Sequence, residues 1–249
     1  MVAFGSLLIT GTSRGIGFEM VRQFLALPRP PRHVIAACRA PSSAQNLQNL
    51  ASSHSNLKIV QLDVIDEQSI ATMANKVEGI VGKAGLDLLV NNAAIFERGS
   101  LSSVSAQGMN RTFQTNVVGP LLITKALLPL LRLAAKEHPP GSTGVAIVNI
   151  SGLLGSMEEL PKKNDSKGYS YPISKAALNM LTRCLMIDLK DTGILTVALN
   201  PGWVHTDMGG PKARLSVEES VAQLCTIISS LSPADNGAFL DFRRKLLPW

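Results

Sequence analysis

The stretch "LLITGTSRGIGFEMV" (residues 7–21) decides the fold, because it joins an apolar, strand-like run to an amphipathic run through a glycine-rich turn. Gly11, Gly15 and Gly17 are spaced G-x-x-x-G-x-G, whereas the commoner dinucleotide-binding turn reads G-x-G-x-x-G. Glycine permits a sharp turn, and the free N–H groups at a helix N-terminus attract a phosphate. A plain strand-to-helix connection can carry glycines too, so this turn needs support from the rest of the chain.

Strand-like and helical runs alternate along the whole sequence. Strands are predicted at residues 6–10, 33–38, 57–63, 87–93, 145–151, 195–202 and 237–242. Helices are predicted at residues 15–27, 42–53, 67–83, 105–135 (with an interruption near Pro120), 171–191 and 216–231. Continuous apolar strands between helices indicate a parallel sheet that is buried on both faces. The prediction is an α/β fold: a single-domain, Rossmann-like, doubly wound parallel sheet of about seven strands across residues 1–249, with helices on both faces.

The composition is that of a globular protein and argues against several classes of function. Apolar residues make up 45% of the chain, and no apolar run reaches the roughly 18 residues that a membrane span needs. The net charge of +6 is scattered, and 4% aromatic residues is low for a nucleic-acid-binding surface. Cys38, Cys184 and Cys225 lack metal-ligand spacing, which favours reduced thiols. We therefore expect a cytoplasmic protein with no metal site and neither a membrane nor nucleic acid as partner.

The only two tyrosines of the chain, Tyr169 and Tyr171, lie just ahead of Lys175 in "GYSYPISK" (residues 168–175). Tyr171 and Lys175 are four residues apart and therefore share one face of the predicted helix. A cation beside a phenol favours the phenolate, so this spacing predicts a lowered pKa for Tyr171. The alternatives are that Tyr169 only lines a pocket and that Tyr171 only packs at the start of the helix.

Six short motifs follow one another in an order and spacing that resemble the short-chain dehydrogenase/reductase family. They are "TGTSRGIG" (10–17), "NNAA" (91–94), Asn116 in "QTNVVG", "NIS" (149–151), "YPISK" (171–175) and "NPGWVHTDM" (200–208). The end of the chain and the stretch "PGWVHTDMGG" further resemble the sniffer-type carbonyl reductases within that family. The motifs span most of the sequence, so the resemblance covers the chain rather than one segment.

The resemblance implies a reductase in which Tyr171 exchanges a proton with the substrate oxygen. Lys175 would hold the nicotinamide ribose and keep the phenol acidic, and Asn116 would hold a water in a proton relay behind the lysine. The alternative for Asn116 is a helix residue that bonds locally. Protonation of the oxygen is what reduction of a carbonyl by hydride requires.

The serine that polarises the substrate carbonyl is where the sequence departs from the family pattern. The family usually carries two serines after the fifth strand, and the second acts on the substrate. Here Ser151 matches the first and Gly152 stands in place of the second. Neighbouring strand residues point to opposite faces, so Ser151 reaches the substrate only if the strand end twists. Otherwise Tyr171 acts alone, or another hydroxyl such as that of Ser156 replaces it.

The charges near the glycine turn predict the cofactor. NAD-preferring members of the family carry an acid after the second strand, whereas this chain has Arg39 there and Arg14 in the glycine turn. Guanidinium groups bind phosphate through forked hydrogen bonds, so the pair favours NADP(H). Matching the family pattern residue by residue implies this cofactor-binding set: Gly11, Ser13, Arg14, Gly15, Ile16, Gly17, Arg39, Asp63, Val64, Asn91, Ala93, Tyr171, Lys175, Pro201, Gly202, Val204 and Thr206.

The expected activity is NADPH-dependent reduction of a small carbonyl compound: a ketone, an aldehyde or a quinone. The alternative, which Gly152 motivates, is an NADPH-binding protein with little or no turnover that acts as a sensor or interaction partner. Another nucleotide-binding enzyme, such as a methyltransferase, leaves Tyr171 and Lys175 unexplained. Residues 154–170 and 202–215 are predicted to be substrate loops, and family members are often homodimers or homotetramers.

Overall fold

Seven strands form one sheet in the spatial order β3-β2-β1-β4-β5-β6-β7, and all neighbouring strands are parallel. The strands are β1 (Ser6–Thr10), β2 (His33–Cys38), β3 (Leu57–Gln61), β4 (Leu88–Asn91), β5 (Val145–Ile150), β6 (Ile194–Asn200) and β7 (Phe239–Asp241). In this computed structural model, which describes residues 4–138, 144–160 and 168–249, the predicted parallel α/β fold is confirmed.

The order of the strands reverses beside β1. The chain builds outward from β1 to β3 on one side and then returns to place β4 on the other side of β1. All carboxyl ends of the strands meet at one edge of the sheet, where the chain leaves β1 and β4 toward helices on opposite faces. Ligands of open α/β sheets bind in the crevice that such a reversal creates.

Helices cover both faces of the sheet. They are α1 (Gly15–Leu25), α2 (Gln45–Ser53), α3 (Glu67–Val81), α4 (Ala106–Phe113), α5 (Gly119–Glu137), α6 (Ser170–Asp188) and α7 (Val217–Ser229). Helices α1, α2 and α7 contribute to the core on one face, and α3, α5 and α6 contribute to the core on the other. The strands are buried along nearly their whole length, which explains why they read as continuous apolar runs.

The predicted interruption of the long helical region near Pro120 is confirmed, as a local irregularity and not as a full break. A π-helical turn over 114–118 joins α4 to α5, and Pro120 lies in the first turn of α5. Proline has no N–H with which to bond the carbonyl of Asn116, four residues earlier, so the irregularity precedes the proline. Residues 106–137 are long and apolar enough to span a membrane by composition, and 44% of the apolar window is buried. Ile123, Leu127 and Leu131 of this region lie in the core.

Most differences from the predicted boundaries are losses at element ends. β3 ends at Gln61 rather than at residue 63, and β6 ends at Asn200 rather than at residue 202. The residues predicted to end these two strands are loop residues at the carboxyl edge of the sheet. Part of the predicted substrate loop 154–170, residues 161–167, lies outside the described residues.

Candidate active site

The glycine turn after β1 is held close to the loop after β4. Gly11 and Gly15 have φ angles of +72° and +57°, which favour glycine. A Cβ on Gly17 would come within 2.3 Å of the Gly11 carbonyl oxygen, so a larger residue cannot fit there without a shift. The Thr10 hydroxyl accepts hydrogen bonds from the backbone N–H groups of Asn92 and Ala93, both at 3.0 Å. The two loops are thus tied together on either side of the crevice.

Helix α1 begins at this turn without a capping side chain and without an acid in its first turn. By contrast, Asp66 caps α3, and Ser216 with Glu219 forms a capping box on α7. The uncapped N–H groups of α1, at the positive end of its dipole, face the crevice. This end of the helix is therefore suited to an anion such as a pyrophosphate.

Two exposed arginines flank the turn, as predicted, but one of them has an unforeseen partner. Arg14 pairs with Asp207 at 3.1 Å, and both side chains are largely exposed. Arg39 directly follows β2 and has no acidic partner within the described parts of the chain. Arg14 and Asp207 are 193 positions apart, and neither segment of the sequence indicated their contact. A cofactor phosphate would have to compete with Asp207 for Arg14. It would not have to displace an acidic side chain of the described residues from Arg39.

The residues that the family pattern assigns to the adenosine side of the crevice do not all face it with their side chains. Asp63 is half-buried and Val64 is buried in the loop after β3, where the Asp63 carboxylate accepts a hydrogen bond from the N–H of Ile65 at 3.2 Å. Asn91 instead turns its side chain into the core, where its Nδ2 donates to Asn149 Oδ1 at 2.9 Å. The Asn91 side chain therefore supports the sheet, and only its backbone is left to face the crevice.

The loop over 202–215 crosses the glycine turn. Thr206 Cγ2 lies 3.5 Å from the point that a Cβ on Gly15 would occupy. The Thr206 hydroxyl accepts a hydrogen bond from the N–H of Gly209 at 3.1 Å. Pro201 and Val204 are buried, and Gly202 has a φ of +82°, so the backbone turns sharply here.

Tyr171 and Lys175 lie on the first turns of α6, as their spacing predicted. Lys175 is 2% exposed, and its Nζ donates a hydrogen bond to the Ile150 carbonyl at 2.7 Å. The same nitrogen lies 5.4 Å from the centroid of the Tyr171 ring. Pro172 follows Tyr171 within the first turn, where a missing N–H breaks no helical bond.

The predicted lowering of the Tyr171 pKa is wrong for the protein as it stands. Burial raises the pKa of Tyr171 to about 12, because the phenolate loses water. Burial also lowers the pKa of Lys175 to about 7, so the ammonium is only partly populated near neutral pH. The spacing showed that the two groups are neighbours, but it did not show that Lys175 is buried and Tyr171 half-buried, which deprives both charged forms of hydration.

Gly152 lies where a side-chain hydroxyl would meet the phenol of Tyr171. A Cβ added to Gly152 would be 3.3 Å from Tyr171 Oη. The Ser151 hydroxyl instead donates to Asn179 Oδ1 at 2.6 Å, and Ser151 is buried. Ser156 is completely buried, and its hydroxyl donates to the Trp249 carbonyl. The strand end does not twist to present Ser151, so neither serine is placed to polarise a substrate oxygen.

Asn116 does not bond locally. Its side chain exchanges two hydrogen bonds of 2.9 Å with the backbone of Ile95, and its Nδ2 also donates to Ser174 Oγ at 3.0 Å. Ser174 in turn donates to the Tyr171 carbonyl at 2.8 Å. Asn116 therefore fixes the loop after β4 to the turn of α6 that carries the phenol.

An aromatic contact that no sequence motif indicated lies beside the phenol of Tyr171. The rings of Phe96 and Tyr171 are tilted at 55° with centroids 4.7 Å apart. Arg98 lies over the outer side of Phe96, 5.6 Å from the ring centroid. The loop after β4 thus provides one wall of the crevice, and residues 152–160 provide another.

The residues of this crevice fit a phosphorylated dinucleotide. The glycine turn leaves room for a close backbone approach, the start of α1 offers N–H groups, and Arg14 and Arg39 supply positive charge. Lys175 and Tyr171 lie across the crevice, after β5. A dinucleotide laid along this edge would run from the arginines to the phenol.

Two solved structures share this fold over the whole chain or nearly so, and a further relative matches part of it. An NADPH-bound carbonyl reductase from chicken fatty liver has 44% identity and a TM-score of 0.97, over 100% of this chain and 96% of its own. The carbonyl reductase Sniffer of D. melanogaster has 39% identity and a TM-score of 0.94, over 99% of this chain and 100% of its own. A Myxococcus xanthus protein named C-signal is 39% identical over 165 residues, which cover 66% of this chain and 93% of its own.

A family model described as short chain dehydrogenase matches residues 6–215, which run from β1 through the loop that crosses the glycine turn. The match takes in the glycine turn, the Tyr171–Lys175 pair and the 202–215 loop. This chain therefore belongs to the short chain dehydrogenase family.

Proposed function

We propose that the protein is an NADPH-dependent reductase of small carbonyl compounds, with Tyr171 as the proton donor. The observation that carries the proposal is the pairing of Tyr171 with the buried Lys175, opposite position 152 at the carboxyl edge of the sheet. The similarity to an NADPH-bound carbonyl reductase supports the cofactor and the class of substrate. Arg39, which has no acidic partner in the described residues, supports preference for the 2′-phosphate of NADPH over NADH.

The glycine turn, Arg14 and Arg39 would hold NADPH, which would supply the hydride for the carbonyl carbon, and the rest of the chemistry falls to the protein. Tyr171 Oη donates its proton to the carbonyl oxygen, so that an alcohol forms and a phenolate remains. The pKa of about 7 at Lys175 lets its amine gain or lose a proton near neutral pH, which suits it to reprotonate the phenolate. Pro120 cannot bond the Asn116 carbonyl, so that carbonyl is the expected site of the relay water.

The substrate oxygen depends on Tyr171 alone in this proposal. Since Gly152 has no hydroxyl and Ser151 is committed to Asn179, the usual second donor is missing. Loss of one such donor lowers the rate about 10²–10³-fold in other active sites. Slow turnover is therefore expected, with reactive carbonyls such as quinones and aldehydes as the better substrates.

A second candidate function rests on Gly152, which stands where the family usually has a serine. An NADPH-binding protein with little turnover, acting as a sensor or through a partner, would retain the glycine turn and tolerate the loss of the serine. A relative named C-signal also belongs to the matched proteins. The two functions differ in one measurable quantity, the rate of NADPH consumption at saturating carbonyl.

The test is a screen of NADPH oxidation with quinones, aldehydes and ketones, with NADH as the cofactor control and the Tyr171→Phe variant as the protein control. Carbonyl-dependent oxidation that prefers NADPH and disappears in the variant would support the reductase. Tight NADPH binding without any carbonyl-dependent turnover would favour the second function. Activity that survives in the variant would remove Tyr171 from the mechanism.

The proposal also covers partners and location. The proposed partner is a small carbonyl compound, with no role for nucleic acid or a membrane, and the proposed location is the cytoplasm.

Association into homodimers or homotetramers is proposed as well, since the outer faces of α4 and α6 expose four apolar side chains: Phe113, Ile173, Met180 and Ile187. Sedimentation of the purified protein tests this part directly.

A further inference from the structure

Trp249 packs its indole ring into a corner between the sheet and α6. The ring stacks on Phe239 of β7 with centroids 5.6 Å apart and an angle of 21° between the planes. The guanidinium of Arg183, from α6, lies 5.9 Å from the indole centroid. Leu153 and Trp249 both pack against the same small apolar cluster, which includes Phe239. The indole is therefore anchored on two regular elements, β7 and α6.

The backbone of the same residue holds the loop after β5. The Trp249 carbonyl accepts hydrogen bonds from Ser156 Oγ at 3.3 Å and from the N–H of Glu158 at 3.2 Å. Ser156 Oγ also accepts a hydrogen bond from the N–H of Glu159 at 3.1 Å. We call residues 153–160 the wall segment. One residue at the far end of the chain thus fixes the middle of the wall segment.

The wall segment begins directly after Gly152, the residue opposite the phenol. Asn179 of α6 holds its near end, since the amide accepts from Ser151 Oγ and donates to the Gly155 carbonyl at 3.2 Å. Gly155 lies tight against α6: a Cβ there would be 2.8 Å from the Lys175 backbone. Any movement of residues 155–158 would therefore be felt at Gly152 and at the Tyr171–Lys175 pair.

The wall segment contains no long regular element. It has a short 3₁₀ turn at Leu153–Gly155 and a second turn closed by the Leu160 N–H, which donates to the Ser156 carbonyl at 3.0 Å, and Met157 is 71% exposed. Short segments with glycine and few buried apolar side chains open readily unless other elements hold them. From outside the segment, Asn179 holds its near end and the contacts of Trp249 hold its middle.

We propose that Trp249 is a positioning residue, which clamps the wall segment and so sets the geometry of the carbonyl-binding side of the crevice. The proposal rests on the proposed function for its consequence in catalysis, but the clamp itself is independent of it. The affinity for NADPH is expected to depend on the clamp less than catalysis does, because the glycine turn and the arginines, which would hold the phosphates, follow β1 and β2, whereas the wall segment follows β5.

The clamp is tested first without activity, by hydrogen–deuterium exchange of the peptide that covers residues 152–160 in the cofactor-free protein. Trp249→Ala is expected to speed exchange in this peptide about tenfold. Without the indole, the carbonyl of residue 249 is no longer held in place to accept the hydrogen bond from the Glu158 amide. Trp249→Phe keeps a ring on Phe239 and should stay near the wild type. Val77→Ala, on the core-facing side of α3, should lower the overall stability and serves as the matched control. Local exchange in the 152–160 peptide should not become faster in this variant.

The consequence for catalysis is tested by steady-state kinetics at saturating NADPH. Trp249→Ala should lower kcat/KM for the carbonyl about tenfold, mainly through KM, with rescue by Trp249→Phe. The Kd for NADPH should change by less than about twofold, since binding energy on the cofactor side is untouched. If Trp249→Ala does not fold, Ser156→Ala removes one hydrogen bond to the same carbonyl and tests the same clamp.

The outcomes separate the two proposals. Unchanged exchange in residues 152–160 would overturn the clamp, whatever the activity. Faster exchange with unchanged kcat/KM would overturn the positioning role. Faster exchange in a protein that shows no carbonyl-dependent turnover even as the wild type would leave the clamp standing and remove the proposed function.

Discussion

The two sides of the crevice are built in different ways. On the cofactor side, after β1 and β2, backbone conformation does most of the work: positive φ angles at Gly11 and Gly15 and the uncapped start of α1. On the catalytic side, after β5 and at the start of α6, side chains from distant parts of the chain hold one another. Asn116 bonds Ile95 and Ser174, which are 21 and 58 residues away.

This difference predicts how each side responds to change. A backbone-built site is read directly from glycine spacing and fails through steric intrusion or loss of charge. A side-chain-built site depends on burial, which sets the pKa values of Tyr171 and Lys175 in opposite directions. Variants on the cofactor side should therefore change affinity, and variants on the catalytic side should change rate.

The largest expected effect is that of Tyr171→Phe on the catalytic side. Removal of the proton donor should lower kcat/KM for a carbonyl about 10³-fold, because the oxygen then has no acid to protonate it. The Kd for NADPH, measured by fluorescence titration, should remain within about twofold of the wild-type value. Equal losses of rate and affinity would show that the two sides are not separate.

The next effect belongs to the cofactor side and concerns Arg39. Arg39→Asp should weaken NADPH binding about 10²-fold, because a cation that meets the 2′-phosphate becomes an anion that repels it. NADH binding should change much less, and kcat at saturating NADPH should be retained. Isothermal titration with both cofactors measures this, and Arg132→Asp, at an exposed position near the end of α5, is the charge-matched control. Equal weakening of both cofactors would mean that the 2′-phosphate is bound elsewhere.

A smaller effect, in the opposite direction, is expected at Gly152. Gly152→Ser restores a hydroxyl beside the phenol and should raise kcat about tenfold. This is less than the rate change of about 10²–10³ that one such hydrogen-bond donor causes in other active sites. The gain is limited because the new Cβ lies 3.3 Å from Tyr171 Oη, so the ring has to yield slightly. Gly152→Ala adds the same Cβ without the hydroxyl and isolates the steric part. A serine variant no faster than the alanine variant would show that the wild type is not limited by the missing donor.

The sequence predicted the features that depend on local spacing and missed those that depend on distant contacts. The sheet, the glycine turn and the shared face of Tyr171 and Lys175 follow from periodicity, and the structure contains them. The opposite orientation of Ser151 follows from the alternation of strand side chains. The Arg14–Asp207 pair is invisible because nothing in either segment indicates the other. The direction of the Tyr171 pKa failed because burial is a property of the folded whole.

The smallest effect tests the cost of burial on the catalytic side through Lys175→Met. The pKa of Lys175 is lowered from 10.5 to about 7 by burial, so between these values the unfolded chain holds a proton that the native protein does not. Stability from this group is therefore present above pH 10.5, is lost as the pH falls toward 7, and is constant below that.

Methionine removes this linkage, so the variant should gain in Tm relative to the wild type as the pH falls from 9.5 to 7.5, by on the order of 5 °C. Lys76→Met, at an exposed position of α3, provides the matched control, and its Tm difference from the wild type should not vary with pH. Thermal unfolding followed by circular dichroism in the absence of cofactor measures both. A pH-independent difference for Lys175→Met would mean that the amine stays charged in the native protein, and the proposed proton transfer from Lys175 near neutral pH would lose its basis.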